Sequence, residues 1–419
     1  MLNAFRDLTR TQKKTFTASF LGWTLDAFDF FLVIVTVPHI AHDFRVAVPM
    51  VAFGVTLTLM LRPLGALIFG WIADRFGRRI PLMIDVGLYS TLELATAFAP
   101  NLTVFLIIRA LFGVAMGGEW GIGAALAMES LPTQKRGLFS GILQEGYAVG
   151  YLLAAVVLAV LYVHIGWRGM FILGVLPALL IFYIRAHVPE SQAWLAQKQS
   201  AVARTADPLL TALKARWPLF LYAILLMTAL NFMSHGTQDL YPTFLTLQHN
   251  FNPQLVGTLT AIMNVGAIVG GIFFGRLSQR FGRRPMIILC AILGAALIPL
   301  WAFSQTVLLL ALGGFFIQVM VQGAWGVIPA HLNEISPGTA RGTFPGFTYQ
   351  MGNLISAGAL QMETVFAANN FPLPSGHPDY AKAMAVVAAV MFAAVAILTA
   401  IGYLVTPERR DADLSTTAL

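Results

Sequence analysis

The hydrophobic pattern along the chain consists of long apolar segments separated by short polar loops. A helix that crosses a bilayer needs about 20 mostly apolar residues, and twelve segments satisfy this condition. They cover residues 15–40, 50–73, 80–99, 102–127, 138–162, 168–187, 217–247, 254–278, 284–304, 306–332, 341–368 and 378–405. The pattern therefore predicts an all-α membrane protein with twelve transmembrane helices. An even number of crossings places both termini on one side of the membrane.

Composition supports a membrane protein. Hydrophobic residues make up 58% of the chain and charged residues 11%, whereas a soluble domain carries roughly a quarter charged residues. Twenty of the 26 lysines and arginines fall on the side of the two termini, which the positive-inside rule makes cytoplasmic. The net charge of +7 is therefore an orientation signal and not a nucleic-acid-binding surface. We expect a multi-pass protein of the inner or plasma membrane, present in the lipid bilayer as a monomer.

Motifs for other kinds of chemistry do not occur in the sequence. The single cysteine, Cys290, excludes an internal disulfide. The first apolar stretch is too long for the core of a cleavable signal peptide. No metal-ligand spacing, nucleophile motif or cofactor loop is present, so we expect neither an enzyme nor a bound metal or cofactor.

The sequence repeats itself at an offset of 205 residues. Residues 70–79 recur as residues 275–284, and Trp120 corresponds to Trp325. A single register through several loops predicts two duplicated six-helix bundles with a linker and a tail, over residues 1–187, 188–216 (linker), 217–405 and 406–419 (tail). In parallel repeats of this kind, the substrate site lies near the bilayer midplane where the halves meet.

The repeated loop contains charged residues that suggest a conformational role. Asp74 is placed to pair with a neighbouring helix end, and the second copy has Gln279 at that position. We hypothesise that Glu129 pairs with Arg75 or Arg79, and that Glu334 pairs with Arg280 or Arg284, so that these pairs select one conformation. The alternative is that the arginines only anchor the topology. The candidate gating residues are Asp74, Arg75, Arg79, Glu129, Arg136, Arg280, Arg284, Glu334 and Arg341.

A polar stripe crosses the seventh predicted helix. Asn231, His235 and Asp239 are spaced at i, i+4 and i+8, so they share one helix face, and Ser234 and Gln238 widen it. Ionisable groups at membrane depth are costly unless they face the interior of a helix bundle or a wet cavity. The alternative is a set of hydrogen bonds that hold helices together.

Arg62 lies near the middle of the second predicted helix, where it needs a negative partner. One candidate is a protein carboxylate, either Asp26 or Asp29 of the first helix. The other is the carboxylate of a substrate, which a guanidinium group binds with two hydrogen bonds. Both possibilities remain open at this point, and the substrate is the preferred partner.

His235 and Asp239 also supply proton chemistry. Histidine titrates near neutral pH, and a protonated Asp239 would admit an anion that an ionised Asp239 would repel. Sodium coupling is the alternative, with Asp26 and Asp29 as oxygen ligands.

Other buried polar residues give weaker signals. Gln144 and Glu145 lie in the fifth helix, and Tyr349 and Gln350 in the eleventh, where Gln350 could donate to a substrate or bond only within the protein. Further assignments are structural: Glu93 pairs with Arg109, Gly117 and Gly118 allow close packing beside Glu119, Glu363 is solvated, and the phenylalanines and methionines are lipid-facing or core residues.

The seventh helix carries a recognisable motif. Its fixed positions are Asn231, Ser234, His235, Thr237, Gln238, Asp239 and Thr243. This pattern resembles the signature of Jen-type lactate permeases, in the sialate:proton symporter branch of the major facilitator superfamily. Residues 62–65, 141–150 and 349–354 are also similar to that family. The repeated arginine-rich loop resembles the signature loop of the superfamily.

The resemblance implies a proton-coupled symporter of short monocarboxylates such as lactate and pyruvate, working by alternating access. It implies substrate contacts at Arg62, Asn231, His235 and Gln350, supplemented by Gln238, Tyr349 and Gln144. Proton coupling is assigned to Asp239, His235, Asp26, Asp29 and Glu145. Glu145 stands where the family suggests a neutral residue. A sialic acid or other organic-acid carrier, and a receptor that binds a carboxylate without moving it, are the alternatives.

Overall fold

The computed structural model describes residues 5–46, 48–192, 194–195, 208–241, 244–245, 248–251, 253–357, 359–372 and 378–409. Within these residues the chain is helical, apart from one isolated β-bridge between Pro372 and Pro378. In the N-terminal half, the helices are α1 (Arg10–Phe44), α2 (Val48–Phe76), α3 (Arg79–Ala97), α4 (Leu102–Met116), α5 (Glu119–Ser130), α6 (Arg136–Gln144), α7 (Gly146–Leu173) and α8 (Ala178–His187). In the C-terminal half they are α9 (Pro208–Gln238), α10 (Pro253–Phe281), α11 (Arg283–Ala302), α12 (Val307–Trp325), α13 (Ile328–Ile335), α14 (Phe344–Ser356), α15 (Ala359–Asn370) and α16 (Tyr380–Val405).

Nine helical segments of the described chain are long and apolar enough to cross a membrane. The other three predicted crossings are also helical. The third, α3, carries Asp85 and Glu93, the fifth is interrupted at Glu145, and the eleventh is divided into α14 and α15.

The seventh crossing differs from the prediction in two ways. α9 begins at Pro208, inside the predicted linker, and departs from helical geometry at Arg216. It ends at Gln238, Asp239 lies in the turn that follows, and the described residues 241 and 244–245 are again helical. The sequence explains the interruption, because a proline at position 242 has no N–H to donate to the carbonyl of Gln238. Pro242 and Thr243 lie outside the described residues.

Glycines allow the two halves to approach each other closely. Gly121 of α5 packs against Gly346 of α14, and Gly141 of α6 packs against the backbone of Gly271 in α10. A methyl group at Gly121 or Gly141 would collide with the backbone of the opposing helix. These contacts lie between mid-depth and the face that carries loop residues 77–79 and 282–284, which we call the arginine face. The structure is therefore closed on that side.

The arginine-face loops turn at equivalent glycines. Gly77 has φ +103° and Gly282 has φ +106°, a backbone conformation that glycine adopts without a steric penalty. Glu190 accepts a hydrogen bond from Arg78 N at 2.7 Å, and Glu408 accepts one from Arg283 N. Each carboxylate thus satisfies a free N–H at the start of a helix, where it also interacts favourably with the helix dipole. The sequence analysis missed this pair, which follows the sixth and twelfth crossings as Pro-Glu.

Candidate substrate and proton site

The polar stripe of the seventh crossing has two parts with different surroundings. His235 Nδ1 lies 2.9 Å from Asp239 Oδ2, and both side chains are about 30% exposed. Thr237, by contrast, is buried and accepts a hydrogen bond from Gln318 Nε2 of α12 at 3.1 Å. Thr237 therefore has the interhelical role, and His235 and Asp239 form a partly exposed ionisable pair that also has a neighbour on another helix.

The eleventh crossing contributes polar residues beside the stripe. Asn231 is 3% exposed and donates to the carbonyl of Met227 in its own helix at 2.8 Å. Asn353 of α14 interacts with His235 and donates to Gln350 Oε1 at 3.3 Å. Gln350 is fully buried, and its Nε2 has no hydrogen-bond partner among the described residues. The two helices thus meet through a polar contact that includes Asn353, a residue not selected from the sequence.

Arg62 lies beside a protein carboxylate in this structure. Its Nη2 is 3.5 Å from Asp26 Oδ2, and both side chains are buried. This distance is long for a charge-assisted hydrogen bond, which is usually 2.7–2.9 Å. The expected structural pair, Arg109 and Glu93, is closer, at 2.7 Å. Of the two predicted partners, Asp26 is therefore the neighbour of Arg62, but the contact is loose.

Asp29 lies elsewhere. Its carboxylate and that of Glu93 both lie near Gly174 at the end of α7. Arg62 also lies over the ring of Phe30 at 5.8 Å and interacts electrostatically with Tyr147 and, across the two halves, with Tyr349.

Five aromatic residues, which we call the aromatic group, lie where the halves meet. They are Trp23, Trp120, Tyr147, Trp325 and Tyr349. The rings of Trp120 and Tyr349 are 4.7 Å apart across the halves, and Trp325 is 5.7 Å from Tyr349. Gln144 Oε1 accepts from Trp120 Nε1 at 3.3 Å. Trp23, Trp120, Trp325 and Tyr349 are buried core residues, and Tyr147 packs against them. Of the five, only Tyr349 was predicted as a substrate contact, and the equivalence of Trp120 and Trp325 in the repeat was a further signal in the sequence.

Glu145 occupies a contact between the halves. It follows α6, is 5% exposed, and its Oε1 has no hydrogen-bond partner among the described residues. This oxygen lies where a side chain at Gly271 would be. The repeat pairs Glu145 with the neutral Gln350 of the other half.

Glu363 corrects another expectation. It is 2% exposed and not solvated. Its carboxylate packs near Gly236 of α9 and interacts electrostatically with Asp239. This residue is buried because α15 packs against α9.

The ion pairs at the arginine face involve different arginines from those predicted. Arg78 lies 3.3 Å from Glu129 and 3.2 Å from Asp74, and Arg283 lies 2.8 Å from Glu334. Arg341 of the opposite half is 3.8 Å from Glu129. The predicted pairing of Glu129 with Arg75 or Arg79, and of Glu334 with Arg280 or Arg284, was therefore wrong.

The predicted arginines have other contacts. Arg75 lies over the rings of Trp71 and Phe76, and Arg280 lies over Phe281. Arg79 donates to the carbonyl of Arg185, Arg284 to that of Thr406, and Arg136 to that of Met128. Residues 78 and 283 turn inward because each directly follows a glycine with positive φ.

Asp74 joins the halves, as its expected pairing with a neighbouring helix end suggested. It accepts hydrogen bonds from Gly342 N at 2.6 Å and from Thr343 N at 3.0 Å, at the start of α14. At the equivalent place in the repeat, Gln279 Oε1 accepts from Gly137 N at 3.1 Å. The two contacts bind each arginine loop to the opposite half.

Comparison with known proteins identifies the family. The pattern of the Major Facilitator Superfamily matches residues 19–249 and 226–417. The chain belongs to the Major Facilitator Superfamily. This membership confirms the expected fold, and the protein is a membrane transporter and not an enzyme.

Individual members show how far the similarity extends. The chain is 31% identical over 417 residues to the "Carboxylic acid transporter protein homolog" of Saccharomyces cerevisiae, covering 92% of this chain and 67% of that protein. It is 27% identical over 350 residues to the sialic acid transporter NanX of Escherichia coli, covering 83% and 85%. The solved structure of the proton:xylose symporter XylE superposes with a TM-score of 0.78 at 18% identity, over 97% of this chain and 98% of XylE. At this low sequence identity, the similarity to XylE concerns the fold alone.

Proposed function

We propose that this transporter is a proton-coupled symporter of small organic acid anions, and specifically of short monocarboxylates such as lactate and pyruvate. The observation that carries the proposal is the loosely paired Arg62, 3.5 Å from Asp26 and within electrostatic reach of Tyr349 in the other half. A buried guanidinium group with a weak partner can exchange it for a substrate carboxylate at little cost in desolvation. The kinship with a carboxylic acid transporter homolog supports an organic acid as the substrate.

Proton linkage is assigned to the pair His235 and Asp239. Because the two side chains are partly exposed and 2.9 Å apart, they can exchange protons with water while they lie beside the substrate path. Protonation of the pair removes a negative charge and so favours entry of an anion. Asn231, Gln238, Gln350, Tyr349 and Gln144 supply hydrogen bonds or ring contacts to the bound acid. We place the protein in the inner or plasma membrane, with the arginine face and both termini on the cytoplasmic side.

The test is uptake of radiolabelled lactate into proteoliposomes, driven first by a pH gradient and then by a sodium gradient. We expect accumulation with the pH gradient alone. Arg62→Lys keeps the charge but loses the fork, and since bonds to charged groups contribute about 1.5–3 kcal/mol, apparent affinity falls about tenfold or more. Arg168→Gln is a matched control, because this arginine pairs with Asp43 away from the site.

Several results would contradict the proposal. Unaltered uptake by Arg62→Gln would show that Arg62 does not bind the substrate carboxylate. Accumulation driven by a sodium gradient alone would show that transport is not coupled to protons. Binding of lactate without uptake would indicate a receptor.

A larger organic acid is the second candidate, and the similarity to NanX favours sialic acid among these. Sialic acid and lactate would compete for one site, so strong inhibition of lactate uptake by sialic acid would favour this candidate. Failure of sialic acid to compete would favour the short monocarboxylates.

A further inference from the structure

The interior of the N-terminal half contains a continuous group of ionisable side chains, which we call the acid file. It comprises five carboxylic acids and one phenol, all with 0% exposure. They are Asp26 and Asp29 of α1, Asp85, Tyr89 and Glu93 of α3, and Glu119 of α5. The sequence analysis did not select Asp85 or Tyr89, and it gave Glu119 no role in transport.

Electrostatic interactions link the members of the acid file, and the side chains of Asp29 and Glu93 both lie against Gly174. Asp85 interacts electrostatically with Glu119 and with Asp26, and Asp29 interacts with Asp26 and Glu93. On α3, positions 85, 89 and 93 are four residues apart, so they share one face. At 1.5 Å per residue they extend over about 12 Å of the helix. Asp85 is the member of this face nearest the arginine face, since α3 begins there at Arg79.

The positive charges within this interior do not balance the acids. Among the described residues, Arg62 and Arg109 are the arginines that interact with the carboxylates of the acid file. If all five acids were ionised, three negative charges would remain without a partner. Placing an uncompensated charge in a protein interior costs several kcal/mol, and the cost at membrane depth is also high. Most of the acids must therefore be neutral in this state, which means that they hold protons.

Free hydrogen-bonding atoms point to the same conclusion. Among the described residues, both carboxylate oxygens of Asp29, Asp85 and Glu119 have no hydrogen-bond partner. The hydroxyl of Tyr89 also has none, and its electrostatic neighbours are Glu119, Asp26, Asp29 and Asp85. A phenol both donates and accepts hydrogen bonds, so it can bridge acids that exchange a proton.

Neighbouring helices add few other ionisable groups. α7 contributes Tyr147, which interacts with Asp26. α8 packs against α3, but its Arg185 and His187 lie at the end near the arginine face. The described residues contain no cluster of three or more His, Cys, Asp or Glu residues suited to a metal ion.

We propose that the acid file binds and conducts the coupled protons between the Arg62–Asp26 pair and the arginine face, with Asp85 and Glu119 as proton-binding residues and Tyr89 as the bridge. The proposal rests on the proton-coupled function proposed above. It assigns the exit path of the proton to the N-terminal half, whereas His235 and Asp239 lie in the other half. Proton release toward the arginine face would return the Arg62–Asp26 pair to its ionised form.

The transport test separates coupling from substrate movement. The variants Asp85→Asn, Glu119→Gln and Tyr89→Phe are reconstituted, and two rates are measured with radiolabelled lactate. Exchange of internal for external lactate needs no net proton movement and stays near the unmodified rate. Accumulation driven by a pH gradient falls about tenfold or more in the two acid variants, a change typical of a lost coupling interaction. Ser90→Ala is the control, because Ser90 is buried beside Tyr89 and lies outside the acid file.

A second measurement does not depend on the substrate. Infrared difference spectra of the purified protein, taken across a pH titration, report the carbonyl stretch of neutral carboxylic acids. We expect bands that disappear in Asp85→Asn and in Glu119→Gln and persist in Ser90→Ala.

The outcomes distinguish the two proposals. If the unmodified protein shows no proton-driven lactate uptake, the proposed function fails, and the infrared bands still decide whether the acids hold protons. If uptake is proton-driven and both acid variants accumulate lactate normally, the acid file alone is refuted. Equal loss of exchange and accumulation in folded variants, or spectra without the neutral-acid bands, would also overturn it.

Discussion

The bond between Asp74 and the start of α14 offers a test of how the arginine face is held closed. In Asp74→Ala, three hydrogen bonds across the halves are lost: from Gly342 N at 2.6 Å, from Thr343 N at 3.0 Å and from Thr343 Oγ1 at 2.6 Å. Bonds to a charged acceptor contribute about 1.5–3 kcal/mol each, but water replaces part of them when the halves separate. We expect a net loss of about 2–4 kcal/mol, which shifts the balance about 30- to 700-fold toward a state open at the arginine face.

The repeat supplies a matched control. Gln279→Ala removes one bond across the halves from a neutral acceptor, Gly137 N at 3.1 Å. A neutral hydrogen bond contributes about 0.5–1.5 kcal/mol, so the expected shift is only about 2- to 12-fold. The difference between the two variants measures the effect of the charge and of the additional bonds.

The assay is thiol labelling at Ser140 in the variant Ser140→Cys. Ser140 is fully buried in α6, and its hydroxyl accepts from Ala330 N of the opposite half at 3.0 Å. The native Cys290 is buried and is replaced by alanine to leave one reporter. Opening of the arginine face exposes the new thiol, so its labelling rate follows the open population. An unchanged rate in Asp74→Ala, or an equal increase in Gln279→Ala, would refute the reasoning.

Three further variants have defined outcomes. Glu145→Gln removes a carboxyl group that is buried against Gly271. Ionisation of Glu145 at high pH would place a charge between the halves and favour opening, so the rise of Ser140→Cys labelling with pH should be smaller in this variant, and an unchanged rise would contradict this. Trp120→Phe loses the 3.3 Å hydrogen bond to Gln144 but keeps an aromatic ring near Tyr349, so the apparent affinity for lactate should change by less than about tenfold. Abolished uptake would show that the indole N–H is essential. Gly166 forms a bend inside α7 with φ +61°, a backbone conformation that costs about 1–3 kcal/mol for other residues. Gly166→Ala should therefore lower the temperature of thermal unfolding, and an unchanged temperature would show that the bend relaxes without cost.

Much of the architecture could be predicted from the sequence because the membrane restricts the solutions. A backbone in lipid must satisfy its own hydrogen bonds, so long apolar segments form helices. The repeat then identified equivalent positions, such as Asp74 and Gln279, which both bond across the halves. Helical periodicity placed His235 and Asp239 on one face, and the structure brings them to 2.9 Å. These features depend on composition and local spacing alone.

Contacts between distant helices depended on the tertiary structure. Arg78 and Arg79 are adjacent in sequence, yet a positive φ at Gly77 turns Arg78 toward Glu129 and leaves Arg79 at the surface. Glu363 is buried because α15 packs against α9. The rings of Trp120 and Tyr349 meet because the two halves approach each other at glycines. Spacing along a helix determines which residues share a face and at what depth, whereas the rotation and approach of each helix determine what that face contacts.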